Sequence, residues 1–483
     1  MRKTKIIATI GPATDSIETI EKLINLGVNV FRFNFSHGTH EYHSQNLQII
    51  REASKKLQKH VGILADIAGP KIRLGSVKGS ILLNSGDILE FHKQQLEGGG
   101  NKVCINQPQI LDDVKVGDLV YIADGAIRVE VVEIFSDKIL TKALVGGRIT
   151  SKKGVNFPGT KISIDPITQK DKEDIKLATS IGVDFVALSF VTSKQNIIDA
   201  KELIASFGSD VPVFAKIERF EALECIDDII EASDGIMVAR GDLGVELGVE
   251  VVPSYQKMII KKANLYSKPV ITATQMLSSM INSQYPTRAE VSDIANAVLD
   301  GTDCVMLSDE TTIGKFPLEA IQIVNKVLVE AEKIYPYYKD LTSDFCNAHA
   351  ISASADMLAR NVGAKALIVY TKTGNSAIIA SRFRPHCQIF ANSYSESVLR
   401  RLCIVWGVEP GYYISTYNDS DEMIYDFFKT ASLDKKIDLD GNYIVTFGNP
   451  IGRSNRSNAI RMVDQYIMDY LQERFGKISQ TEK

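Results

Sequence analysis

Residues 211–242 read VPVFAKIERFEALECIDDIIEASDGIMVARGD, and this stretch decides the architecture. Two short apolar runs, 211–217 and 235–239, flank RFEALECIDDIIEAS, whose apolar residues recur at helical spacing. Strand, helix and strand in this order predict two parallel neighbours in one sheet. Both strands end in charge, as Lys216-Ile-Glu218 and as Arg240-Gly-Asp242. Lys216 and Glu218 lie two apart, so on a strand they project to the same side.

The unit repeats in both directions. Similar runs at 5–10, 28–35, 61–67, 185–190, 269–274 and 304–307 bring the candidate strands to eight. Between most of them lie helical segments such as SIETIEKLINLG, KQNIIDAKELIASFG and TRAEVSDIANAVLDG, each closed by glycine as helix stops are. Eight such alternations predict a (β/α)8 TIM barrel. The pattern is interrupted once, over residues 69–165, where ILLNSGDILEF, GDLVYIADGAIRVEVVEIF and DKILTKALV alternate and turn at Gly, Asn and Asp. These predict a small antiparallel β-barrel domain inserted in the third βα loop. From there it would cover the catalytic mouth as a lid, the alternative being an insertion with no moving part. YPYYKDLTSD then marks a boundary, followed by an open α/β domain. The expected division is 1–68 with 166–338 for the barrel, 69–165 for the lid and 339–483 for the C-terminal domain.

A chain of 483 residues is too long for one ordinary core. Its formal charge of -4 argues against nucleic acid as a partner, so an anionic substrate has to be held by locally placed cations. Six cysteines lack the clustering of a zinc site or disulfide framework, which suits a reducing, cytoplasmic setting. MRKTKIIATIG passes from basic residues straight into a strand-like run, unlike a signal peptide. No stretch approaches the roughly 18–20 apolar residues that span a bilayer, so no membrane partner is expected.

Active sites of such barrels lie at the C-terminal ends of the strands. Here those ends carry Arg32, Asn34 and Ser36, then Asp66, Lys216 with Glu218, Arg240 with Asp242, Thr274, and Ser308 with Glu310. One polar residue at a strand end usually just begins a solvated loop; six strand ends together point to a site. Glu218 and Asp242 offer two hard oxygen ligands, suited to Mg2+ (with Mn2+ as the alternative ion) held partly by substrate and water. Phosphoryl transfer asks little of a protein beyond positioning and charge neutralisation, for which Lys216, Arg32 and Arg73 are available. No Walker loop or protein-kinase motif set is present. A Mg2+-dependent barrel aldolase or lyase acting on a 2-keto acid would share the Glu and Asp but leaves Lys216 and the lid unexplained. A metabolite sensor that has lost catalysis conflicts with the intact Lys216, Glu218, Asp242 and Thr274.

The segments KIIATIGPAT, NVFRFNFSHGTHEYH, GPKIR, KGVNFPG, FAKIE, IMVARGDLGVE, ITATQML, PTRAEVSDIANAVLDG and CVMLSDET occur in this order. Along essentially its whole length the chain resembles pyruvate kinases. The resemblance implies transfer of the phosphoryl group of phosphoenolpyruvate to ADP, giving pyruvate and ATP in glycolysis. It implies that Lys216 stabilises the group in transit and that Glu218 and Asp242 hold the metal. The amides of Gly241 and Asp242 would receive the substrate carboxylate. Thr274, Ser308 and Glu310 would belong to a proton route, and Arg32, Asn34, His37 and Arg73 would bind nucleotide or phosphate. Asp124 matches a residue of lid closure, although ADG is also a good turn sequence. The family is commonly homotetrameric.

Two departures stand out. Many relatives carry Gly where this chain has Asp309. Asn34, Ser36, Asp66 and Ile67 match a K+ site, yet Lys71 stands where K+-requiring relatives carry Glu. A fixed ammonium there can replace the ion, so K+ is not expected to be required. In the C-terminal domain, Thr371-Lys372-Thr373-Gly374-Asn375-Ser376 opens a helix with phosphate-cradle composition, although helix capping alone could account for it. The resemblance makes it the site of a phosphorylated allosteric effector, with Arg453 as a guanidinium partner.

Overall fold

In a computed structural model, which describes residues 2–339, 347–414, 416–451 and 457–478, eight parallel strands close into a barrel. They are Lys5–Thr9, Val30–Asn34, Gly62–Ile67, Phe185–Leu188, Val213–Ile217, Gly235–Ala239, Val270–Ala273 and Cys304–Leu307, each paired to its sequence neighbour and the last to the first. All eight expected strands are present, shortened by up to two residues at an end. Ile7, Val30, Leu64, Phe214, Met237 and Ile271 fill the barrel, and a layer of buried Val, Ile, Leu, Phe and Ala packs between the strands and the helices.

Local sequence sets the helix ends. Thr168 and Thr287 form capping boxes with Asp171 and Glu290, and Gly182 and Gly301 close those two helices in left-handed conformations. The stretch after the fifth strand is two helices, Phe220–Glu224 and Ile226–Ala232, where one was expected. The break falls at Cys225, whose φ of -126° and ψ of 32° leave the helical region and whose Sγ donates to the Thr192 carbonyl at 3.1 Å.

The insertion folds around its own apolar core, which includes Leu89, Phe91, Val120, Val129 and Phe157. A six-stranded sheet runs in the order Val155–Asn156, Leu119–Ile122, Ile127–Ile134, Lys138–Val145, Ile88–His92 and Lys102–Cys104, beside a pair formed by Ile81–Leu83 and Gly147–Ile149. The pairing is antiparallel as expected except for Lys102–Cys104, which runs parallel to Ile88–His92. The intervening loop contains Gly98, Gly99 and Gly100.

The C-terminal sheet has the order Val408–Tyr413, Gln388–Ser393, Ala366–Tyr370, Tyr443–Phe447 and Ala459–Val463, the last strand antiparallel. Its domain is fastened to the N-terminal face of the barrel. Arg384 pairs with Asp303 at 3.0 Å and lies 4.8 Å from the centre of the Trp406 ring, while Lys5 Nζ donates to the Val408 carbonyl at 2.6 Å. The opposite face, where the polar strand ends emerge, remains available for a site. Among the described residues no helix is long and apolar enough to cross a membrane.

Candidate active site

Because successive barrel strands are in register, the strand ends present their side chains around one rim. Asn34 pairs with Asp66 across the second and third strands, and Lys216 pairs with Met237 across the fifth and sixth. Lys216 is the hub. Its Nζ lies 3.0 Å from Asp66 Oδ1 and 2.9 Å from Glu218 Oε1, and it donates to Ser189 Oγ at 2.7 Å. Asp66 also accepts from Arg32 Nε at 2.7 Å, and Arg32 Nη1 reaches Thr9 Oγ1 at 3.1 Å.

These groups are buried, so their charges depend on one another. Burial works against the Lys216 ammonium, but Asp66, Glu218 and Asp242 outweigh it and the pKa is raised. Burial also pushes Asp66 up, yet Lys216 and Arg32 carry it below the ordinary aspartate value. Glu218 moves the other way: burial raises it, Asp242 adds to the effect, and Lys216 only partly offsets them. The Lys216–Glu218 pair is therefore unequal, since three carboxylates serve the lysine while Glu218 has a carboxylate neighbour of its own. A further cation beside Glu218 and Asp242 would relieve that repulsion.

The donor set fits Mg2+ on these grounds. Glu218 and Asp242 line the same cavity, and Glu218 Oε2 is oriented by the Phe190 N–H at 3.0 Å. Among the described residues no group of three or more His, Cys, Asp and Glu side chains is gathered for a metal. Two carboxylates match an ion that completes its shell with water and substrate oxygens.

The cavity measures about 580 Å³ and extends from the strand ends to the inserted domain. Its lining carries seven Lys and Arg against four Asp and Glu, a balance that suits a polyanionic ligand. Arg32, Asn34, Ser36, Asp66, Lys71, Arg73, Lys216, Glu218, Asp242 and Thr274 all line it, and Asp124 faces it from the insert, in a turn where φ is 54°. Lys71 projects into the mouth, where burial and then Lys216 lower its pKa while Asp66, Asp242 and Glu218 oppose the shift. His37 shares this electropositive corner: burial lowers its pKa, and Lys71 and Arg73 lower it further.

Other expected residues are differently engaged. The Gly241 N–H, expected to receive an anion, donates to Thr274 Oγ1 at 2.8 Å. Ile67 is buried, with its carbonyl taken by Ser189 Oγ at 2.7 Å. Glu310 accepts from the backbone N–H groups of Leu277 at 3.0 Å and Ser308 at 2.8 Å, and neither Ser308 nor Glu310 lines the cavity. Asp309 is exposed.

Several participants escaped the sequence reading. Ser189 and Thr9 end the two barrel strands that contributed nothing to the six expected polar ends, and a hydroxyl at each was the available signal. Thr274 has φ 70° and Phe190 φ 58°, unusual for a β-branched and a bulky residue. Thr274 is held there by Arg240 Nη2 on its carbonyl at 2.6 Å and by the Gly241 N–H on its hydroxyl. Such strain persists where surrounding contacts over-determine it.

A second cavity of about 280 Å³ is lined by Thr371, Lys372, Thr373, Asn375 and Ser376. It lies where the strand order reverses, between Ala366–Tyr370 and Tyr443–Phe447, the usual ligand position in an open α/β sheet. Gly374, at φ 92°, caps the following helix; its N–H donates to Thr371 Oγ1 at 3.0 Å, and the residue borders a different cavity against the barrel base. Arg453 lies outside the described residues.

Comparison with known proteins agrees with this geometry. Residues 1–321 match the family model for the pyruvate kinase barrel domain, and residues 349–463 match that for the pyruvate kinase alpha/beta domain. Pyruvate kinase 2 of a Synechocystis species is 47% identical over 416 residues, covering 85% of this chain and 70% of the relative. The pyruvate kinase of Thermotoga maritima is 45% identical over 412 residues, covering 85% and 88% of the two chains. A crystal structure of a pyruvate kinase from Cryptosporidium parvum superposes with a TM-score of 0.91 at 37% identity, covering 96% of each chain.

Proposed function

The chain belongs to the pyruvate kinase family, a phosphotransferase, and from that premise we propose how its own residues divide the work of moving a phosphoryl group from phosphoenolpyruvate to ADP. The observation that carries the reading is Lys216, a buried ammonium held by Asp66 and Glu218 at 3.0 and 2.9 Å on the floor of a cation-rich cavity. Its fixed charge stabilises the phosphoryl group as it passes between donor and acceptor oxygens, with little reorganisation because its partners already orient it. Glu218 and Asp242 hold Mg2+, or Mn2+ in its place, and the ion supplies charge neutralisation on the substrate oxygens. Arg32 and Arg73 bind phosphate, with Asn34 and His37 on the nucleotide side. The start of the Arg240–Leu247 helix receives the substrate carboxylate once Thr274 releases the Gly241 N–H. Thr274 serves the protonation of the enolate that remains from the cavity wall, with Ser308 and Glu310 behind it, outside the lining.

Lys71 takes the place of a bound K+ beside Asn34, Ser36, Asp66 and Ile67, so the reaction runs without that ion. The inserted domain closes over the cavity, where Asp124 already faces inward, and opens to let ligands pass. The 371–376 loop binds a phosphorylated allosteric effector, and the enzyme is a cytoplasmic homotetramer. Pyruvate formation from phosphoenolpyruvate and ADP, followed by a coupled assay in K+-free buffer with and without Mg2+, tests the reaction, its metal and the role of Lys71. Mg2+-dependent turnover that added K+ does not raise is expected. Absence of ADP-dependent pyruvate would overturn the kinase reading, and large activation by K+ would overturn the role of Lys71.

A further inference from the structure

Directly after Glu218 the chain places Arg219, whose side chain is 8% exposed. Its Nη2 donates to the Thr160 carbonyl at 2.8 Å and to Glu221 Oε1 at 2.8 Å, while Nε donates to Glu221 Oε2 at 3.1 Å. A guanidinium Nη carries two hydrogens, so both on Nη2 are committed. Glu246 Oε1 lies 3.6 Å from that nitrogen, buried and without a hydrogen-bond partner. The backbone N–H groups of Gly159 and Phe220 lend the Glu246 carboxylate partial support. A buried carboxylate oxygen without a donor is costly, and here the donor that could serve it is engaged elsewhere.

Thr160 belongs to the strap by which the insert returns to the barrel. Its Oγ1 donates to Asp118 Oδ2 at 3.2 Å, and further along the strap the Ser163 N–H donates to Asp113 Oδ2 at 2.8 Å, so the strap is tied to the insert. Gly159, just before it, has φ 72°. Glu246 stands on the Arg240–Leu247 helix, whose first turn carries Gly241 and Asp242. The cluster thus joins the insert, the strand end bearing Glu218 and the helix bearing Asp242.

We propose that Arg219 and Glu246 form a two-position latch that couples the lid to the metal-binding carboxylates. With the strap seated, Arg219 Nη2 holds the Thr160 carbonyl. When the insert swings outward, Thr160 withdraws and the Gly159 N–H leaves Glu246 with it; the hydrogen freed on Nη2 passes to Glu246 Oε1 in exchange, while Glu221 keeps its fork on Nε and Nη2 as the pivot. Glu246 is a positioning residue that acts through Arg219 and the helix bearing Asp242; Arg219 positions Glu218 and also stands in the cavity wall itself. The inference rests on the reading of the insert as a lid.

The test combines amide hydrogen exchange over residues 157–163 with steady-state kinetics on the full chain, its E246Q and R219K variants and the double variant. In the parent, phosphoenolpyruvate with Mg2+ should slow exchange in this strap. E246Q weakens the competitor for Arg219, so exchange of the amides at 160–163 should slow even without substrate; the Gly159 amide, which Glu246 itself supports, is left out of the comparison. KM for phosphoenolpyruvate should fall about five-fold, with a lower kcat because the lid opens less readily. In the R219K background, E246Q should add nothing further. Additive effects of the two substitutions, or strap exchange in E246Q equal to that of the parent, overturn the latch; the exchange comparison decides even if R219K folds poorly. Parent exchange that ignores substrate overturns the lid reading and the latch with it.

Discussion

Replacing Glu246 by glutamine should stabilise the protein, by an amount that depends on pH in a definite way. An ordinary glutamate titrates near 4.5, and Glu246 is pushed up to about 7, chiefly by burial; Arg219 pulls against the shift and Glu221 adds to it. Below the ordinary value the carboxyl is protonated in folded and unfolded chains alike and contributes no pH dependence. Between about 4.5 and 7 the unfolded chain has released its proton and the folded chain has not, so stability falls as pH rises. Above that window both states are ionised and the deficit is constant. The gap corresponds to a deficit on the order of 3 kcal/mol. Glutamine keeps the shape and cannot ionise. Urea unfolding at half-unit steps from pH 5 to 8 should therefore show an E246Q advantage that widens to about 2–3 kcal/mol and then levels off. Parallel stability curves for the two proteins would refute the reasoning, because they would mean that Glu246 titrates alike folded and unfolded.

Lys216→Met should lower kcat by about 10²–10³-fold or more, read by steady-state kinetics, because it removes a preorganised cation from the reacting centre. The same substitution should cost about 3 kcal/mol in urea unfolding, since Glu218 and Asp66 stay buried; Arg32 on Asp66 keeps the loss from being larger. Lys71→Glu should convert the enzyme to one activated several-fold by K+, measured by titrating the ion in sodium-free buffer; activity lost and not restored by K+ would count against a replaced cation site. Arg384→Met leaves Asp303 buried at the junction of barrel and C-terminal domain, and should destabilise by about 3–5 kcal/mol in thermal or urea unfolding.

The barrel was legible because its signal is repeated: eight runs of β-branched residues, separated by helices whose Ser, Thr and Gly ends follow local rules. Polar residues at the strand ends were legible for the same reason, since side chains two apart on a strand share a side and parallel strands end on one face. What the sequence hid was contact between distant segments. Nothing local to Thr160, Arg219 and Glu246 announces that they meet, because strap, strand end and helix are brought together only by closure of the barrel and return of the insert. The break at Cys225 was equally hidden, since the hydrogen bond that accompanies it runs to the Thr192 carbonyl on another loop. Gly241 and Asp242 could be placed at a helix start from the pattern ARGDLGVE, but the engagement of that amide by Thr274 depends on a left-handed φ of 70° that a β-branched residue gives no reason to expect.

The most direct test of the account follows phosphorus itself. Phosphorus NMR of the purified chain with equimolar phosphoenolpyruvate and ADP, in Mg2+ and without K+, should show the phosphoenolpyruvate resonance replaced one for one by the γ-phosphate of ATP, with Lys216→Met silent over the same period. Release of inorganic phosphate without ATP, or equal transfer by the Lys216→Met variant, would contradict it.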